Sequence, residues 1–103
     1  MKRIYISGKI GNLPIEVAKA KFDAYADVLR NQGHRPANPF DNGVETPEGM
    51  PLQEAWNTHM RADIIMLCES DECHMLPCWV DSKGAKTEHD LAVTLGIPVT
   101  YLP

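Results

Sequence analysis

Apolar and polar residues recur along this chain with two different periods. Lys2 to Ser7 is a short β-branched and aromatic run that stops at Gly8, the pattern of a buried strand. From 12 to 32 the period becomes helical: Ile15, Ala18, Phe22, Tyr25, Ala26 and Leu29 share a face. Asn12 is its expected cap, Pro14 fits the first turn and Gly33 is the stop. His34 to Ala37 predicts a weak second strand closed by Asn38-Pro39. A second helix is predicted over 52–69, a third strand over 72–77, a third helix over 83–95 and a last strand over 97–102. Residues 38–51 have no period and hold three of the eight prolines and two glycines. A loop of that length in a compact domain is commonly functional.

Strands alternating with helices imply right-handed βαβ units and a parallel sheet covered on both faces. The expected fold is therefore α/β, a flavodoxin-like three-layer sandwich with a four- to five-stranded parallel sheet, with 1–103 as one domain. Ligands of such sheets bind beyond the carboxyl ends of the strands, near the switch in strand order. Ser7-Gly8-Lys9, Asn38-Pro39-Phe40 and Pro77-Cys78-Trp79 fall there. That nominates Ser7, Gly8, Lys9, Asn38 and Trp79 as ligand contacts, Trp79 as a stacking surface.

Composition narrows the partners. With 44% hydrophobic and 23% charged residues the chain is of ordinary globular type. A net charge of −4 argues against nucleic acid as the partner, since that binding rests on clustered Lys and Arg. No apolar run is long enough for a signal peptide or a membrane span, so the expected setting is the cytoplasm with no membrane partner. Cys68, Cys73 and Cys78 are odd in number and lack CxxC spacing, so neither a disulfide framework nor a metal site is expected.

Two carboxylates fall on the wrong face of their helices. On the third helix Gly84, Ala85, Leu91, Ala92 and Leu95 occupy an arc of roughly 120°, and Glu88 lies near its middle. On the second helix Leu52, Trp56, Met60 and Leu67 form the apolar stripe, and Asp63 sits among them. Burying an unpartnered carboxylate costs several kcal/mol, so two such acids on two helices point to a shared cleft. His59, four residues before Asp63, is placed either to share its face and orient it or, as the first expectation for such a histidine, to sit solvated or at the edge of the core.

Ser82-Lys83-Gly84-Ala85 adds an anion site. Ser82 caps the third helix, Gly84 allows close approach to its first turn, and the free N–H groups there favour a phosphate. Gly8-Lys9-Ile10-Gly11 offers another amide-rich turn with a cation, and no GK[ST] follows it.

Ile4-Tyr5-Ile6-Ser7-Gly8, Met60-Arg61-Ala62-Asp63, Asp71, Leu76-Pro77-Cys78-Trp79 and Ser82-Lys83-Gly84-Ala85-Lys86-Thr87-Glu88 together resemble the nucleoside 2-deoxyribosyltransferase-like proteins. The likeness is to a short, DUF4406-like branch found in phages and bacteria, and spans nearly the whole chain. It implies that Glu88 attacks C1′ of a deoxyribosyl group, that Asp63 assists proton transfer and sugar binding, and that Tyr5 lies near the nucleophile. A Ser at the place of Ser82 is similar to the deoxynucleoside 5′-monophosphate N-hydrolases, where it binds phosphate. The transferases carry an Asp six residues before the nucleophile, whereas Asp81 is one residue off that register. Cys78 stands where the short branch has Gly in a Pro-Gly-Trp turn. The resemblance further implies no cofactor, a nucleoside or nucleotide ligand, and a homodimer or higher homo-oligomer, expected to meet through the helix that carries Trp56 and Met60. A non-catalytic nucleotide-binding or sensor module of phage origin fits the same residues.

Overall fold

The computed structural model describes all residues from Met1 to Pro103. Its elements run β1 (Arg3–Ser7), α1 (Ile15–Asn31), β2 (Arg35–Ala37), α2 (Leu52–Cys68), β3 (Glu72–Met75), α3 (Lys83–Thr94) and β4 (Val99–Tyr101). Single 3-10 turns form at Pro39–Asp41 and Trp79–Asp81. The sheet has four strands in the order β2-β1-β3-β4, and every pairing is parallel. That is the flavodoxin-like order without a fifth strand, with its switch point between β1 and β3.

The faces of the sheet follow from the alternation of β1. Ile4 and Ile6 point to one side and pack with Phe22, Ala26 and Leu29 of α1. Tyr5 points to the other, where Leu67 of α2 and Ala85 and Ala92 of α3 complete a second core. β1 is central and buried on both faces, which is why its sequence reads as a continuous apolar run. Asp71 pins it to the start of β3: its carboxylate accepts from the Arg3 N–H at 2.8 Å, and its own N–H donates to the Arg3 carbonyl at 2.7 Å.

Several local expectations are corrected. Asn12 does not cap α1: it has φ 64°, and Pro14 is the N-cap, with no side-chain hydrogen bond. Proline's fixed φ and missing N–H suit that junction, so the helix starts three residues later than the period suggests. Leu52 and Leu95, assigned to apolar stripes, lie at helix ends beyond the sheet and are 89% and 53% exposed. Cys78 adopts φ 70°, the left-handed region where a Cβ is strained and glycine is not. The turn before Trp79 thus keeps a glycine conformation without a glycine.

Candidate active site

The site begins with the period of a strand. Residues i and i+2 of β1 lie on one face, so Tyr5 and Ser7 both point at α3. There the Tyr5 hydroxyl donates to Glu88 Oε2 and the Ser7 hydroxyl to Glu88 Oε1, each at 2.7 Å. All three residues are buried, Glu88 to 5% exposure. Both carboxylate oxygens are held from β1, so the group has a single orientation. Burial pushes the Glu88 carboxyl up to about 7, the two hydroxyl donors working against that rise and the neighbouring Asp63 adding to it. Burial, with the Glu88 charge beside it, holds the Tyr5 phenol well above its ordinary value, so Tyr5 keeps its proton and remains a donor.

Asp63 comes from α2, one of its three buried residues with Met60 and Leu67. Its carboxyl accepts from Asn42 Nδ2 at 2.8 Å. Burial pushes it up to about 6, against the Asn42 hydrogen bond and the charge of His59. Asp63 and Glu88 line one cavity of about 630 Å³, a volume within the range of small-molecule sites. Its apolar walls include Phe22, Phe40 and Trp56; the loop after β2 contributes Pro39, Phe40, Asn42 and Val44.

The start of α3 closes another side. Ser82 is the N-cap, its hydroxyl oxygen accepting from the Ala85 N–H at 3.2 Å. Its carbonyl takes the Lys86 N–H, and the N–H groups of Lys83 and Gly84 bond to nothing within the chain. Ser82, Lys83 and Gly84 all line the cavity, as does Asp81. Lys83 Nζ lies 4.8 Å from the centre of the Trp56 ring. The lining therefore carries three carboxyls (Asp63, Asp81, Glu88) and one ammonium (Lys83).

Of the residues nominated from sequence, Tyr5, Ser7, Gly8, Asp63, Ser82, Gly84 and Glu88 are brought together; Lys9, Asn38 and Trp79 are not part of the cavity wall. Asn38 is turned to structural work: its amide donates to Asp23 at 2.9 Å and its oxygen caps the following 3-10 turn through the Phe40 N–H. The Trp79 ring is covered by His89, stacked at 4.3 Å and 27°, with Tyr101 beyond it. That packing, against the core of Tyr5, Ala85 and Ala92, turns the ring away from the cavity wall. The two glycines also have packing reasons. A Cβ at Gly8 would meet Leu76 Cβ at 2.9 Å, and one at Gly84 would meet Met60 Sδ at 3.2 Å, so Gly84 lets α2 and α3 approach. Asn42 was missed; its sequence signal is the Asp41-Asn42-Gly43 turn, which marks a bend without saying what the amide touches.

No three His, Cys, Asp or Glu side chains come together in an arrangement that holds a metal. What the cavity offers is carboxyl, hydroxyl and amide chemistry. No helix is long and apolar enough to cross a membrane.

The family model of a domain of unknown function, DUF4406, matches residues 2–101. The chain belongs to the DUF4406 family. A search of curated proteins finds no match. Among solved structures, this DUF4406 chain is similar to the 2-deoxyribosyltransferase of the psychrotolerant bacterium Bacillus psychrosaccharolyticus. The TM-score is 0.73 at 23% sequence identity, over 96% of this chain and 70% of that one. At that identity the likeness shows the fold. The DUF4406 chain is thus an α/β domain of deoxyribosyltransferase-like architecture, with Glu88 and Asp63 at the carboxyl ends of its strands.

Proposed function

We propose that this chain cleaves the N-glycosidic bond of a 2-deoxynucleoside or its 5′-monophosphate, with Glu88 as nucleophile and Asp63 as acid and base. One observation carries the reading: two buried carboxyls from different helices open on one cavity, and both hold their protons more tightly than free carboxyls do. Buried pairs with displaced proton affinities are what acid–base chemistry near neutral pH requires. The architecture shared with a 2-deoxyribosyltransferase supports the choice of substrate class.

In the proposed reaction, ionised Glu88 attacks C1′ as the bond to the base breaks. The bonding pair leaves with the base, whose nitrogen takes the proton of Asp63. Water, or the nitrogen of a second base, then attacks C1′ and gives its proton to Asp63, releasing Glu88. Tyr5 and Ser7 hold Glu88 in line during both steps.

The preference for a 5′-monophosphate, as in the N-hydrolases, rests on Ser82. Capping uses the Ser82 oxygen as an acceptor and leaves its O–H to donate to phosphate, beside the free N–H groups of Lys83 and Gly84. Lys83 favours the anion and Asp81 opposes it. The deciding experiment incubates the protein with each deoxynucleoside and its 5′-monophosphate, following free base by chromatography and affinity by calorimetry. Base release is expected, with monophosphates bound more tightly. Ser82→Ala is expected to weaken monophosphates roughly tenfold or more while leaving nucleosides nearly untouched. Losing a cap costs about 1 kcal/mol by itself, so stability is measured alongside. Equal weakening of both ligands would return Ser82 to a capping role and favour the nucleoside. Binding without base release from any member would favour a nucleotide-binding module.

A second copy of the chain is the proposed partner. Of the two residues expected in the contact, Met60 is buried against Gly84, whereas Trp56 is exposed on the cavity wall; a partner packed on Trp56 and on Leu52, one turn before it, would bury both and narrow the cavity. Light scattering is expected to give a dimer or dimer of dimers at micromolar concentration; an 11.5 kDa monomer would contradict this.

A further inference from the structure

Asn42 is a neutral side chain that touches both titratable groups α2 presents to the cavity. Its Nδ2 donates to Asp63 Oδ1 at 2.8 Å and lies 3.1 Å from His59 Nδ1. Its Oδ1 accepts from the Val44 N–H at 2.9 Å. That backbone group can only donate, so it fixes which end of the amide faces α2. Nδ2 has two hydrogens, one directed at Asp63 Oδ1 and one at His59 Nδ1, which can accept it while the ring is neutral. The Asn42 backbone N–H meanwhile closes the Pro39–Asp41 turn through the Pro39 carbonyl at 3.2 Å. One residue thus ties the loop after β2 to two positions one turn apart on α2.

We propose that Asn42 is the positioning residue of this site: its amide joins Asp63 and His59 into one hydrogen-bonded unit, through which the loop orients the acid and governs its proton. The role rests on the reading of Asp63 as the acid. A hydrogen bond given to a carboxylate favours its charged form. The other titratable groups of the cavity are His59 on α2, Glu88 and Lys83 on α3 and Asp81 in the 3-10 turn before it, with Tyr5 of β1 bonded to Glu88. Asn42 alone comes from a segment without regular structure, between the wall residues Phe40 and Val44. A ligand pressing on either residue therefore acts on the acid through Asn42.

The test is a carboxyl 13C NMR titration of Asp63, its signal assigned by its disappearance in Asp63→Asn. Two variants are compared with the wild type. Asn42→Ala removes the whole link. Asn42→Ser keeps an oxygen able to accept from Val44 and preserve the turn, but is too short to reach α2. The Asp63 midpoint is expected to rise by about one unit in both, a roughly tenfold gain in proton affinity. The maximum of the kcat/KM bell should move up with it by about half a unit, chiefly through its acid limb. An unchanged midpoint in both variants, or a wild-type midpoint in Asn42→Ser, would overturn the proposal and reduce Asn42 to a turn residue. The titration needs no turnover. A chain that released no base would overturn the glycosidase reading, while a shifted midpoint would still carry the link from loop to Asp63.

Discussion

Glu88→Gln is expected to release base at least about two orders of magnitude more slowly than the wild type, and to be more stable than it above pH 7. The first effect follows from losing the nucleophile while keeping its shape. The second follows from burial. A carboxyl raised from its ordinary 4.5 to about 7 favours the fold while protonated, and that contribution is lost as pH rises through 7. At pH 8 the wild type carries a buried charge; the amide carries none. Its oxygen can accept from one hydroxyl, and a rotated hydroxyl can accept from its nitrogen. The gain is about 3 kcal/mol at most and should fade towards pH 4, where both side chains are neutral. Denaturant melts at pH 4 and pH 8 beside the base-release assay read both effects. Unchanged turnover in folded Glu88→Gln would remove this residue from the chemistry.

Asp63→Asn should separate substrates by their leaving groups. A natural base leaves poorly without a proton, so a loss of about 10²–10⁴ is expected when the acid is gone. A nitrophenyl deoxyriboside leaves without one and should lose no more than about tenfold. Comparing kcat/KM on the two reads the role directly. Equal losses would mean that Asp63 positions the sugar or supports the fold.

Glu88 and Asp63 were legible because helices have a strict period: an acid in the middle of an apolar arc stands out, and both proved buried. The parallel sheet covered on both faces was legible from the alternation of strand and helix segments along the chain. What failed lies where no period operates. Lys9, Asn38 and Trp79 sit in connections at the correct end of the sheet, but where a loop side chain points depends on neighbours distant in sequence. Asn38 turns to Asp23 and Trp79 to His89. Asn42 was invisible for the converse reason: the period of α2 shows a misplaced acid without its partner. Leu52 and Leu95 mark the limit of the helical argument, since a face is defined only while the helix still overlies the sheet.

The pH dependence of kcat/KM on the best nucleoside or nucleotide tests the paired carboxyls most directly. The reactive form has Glu88 ionised and Asp63 protonated. Glu88 ionises as pH rises through about 7, whereas Asp63 loses its proton through about 6. That form is therefore a minority, most populated midway between the two values, and the limbs belong to the pair rather than to either residue. The expected profile is a narrow bell with its maximum near pH 6.5 and limbs near 6 and 7, the acid limb absent from the residual rate of Glu88→Gln. A rate that is flat or changes in only one direction between pH 5 and 8, or no base release at any pH in that range, would contradict a glycosidic site built on Glu88 and Asp63.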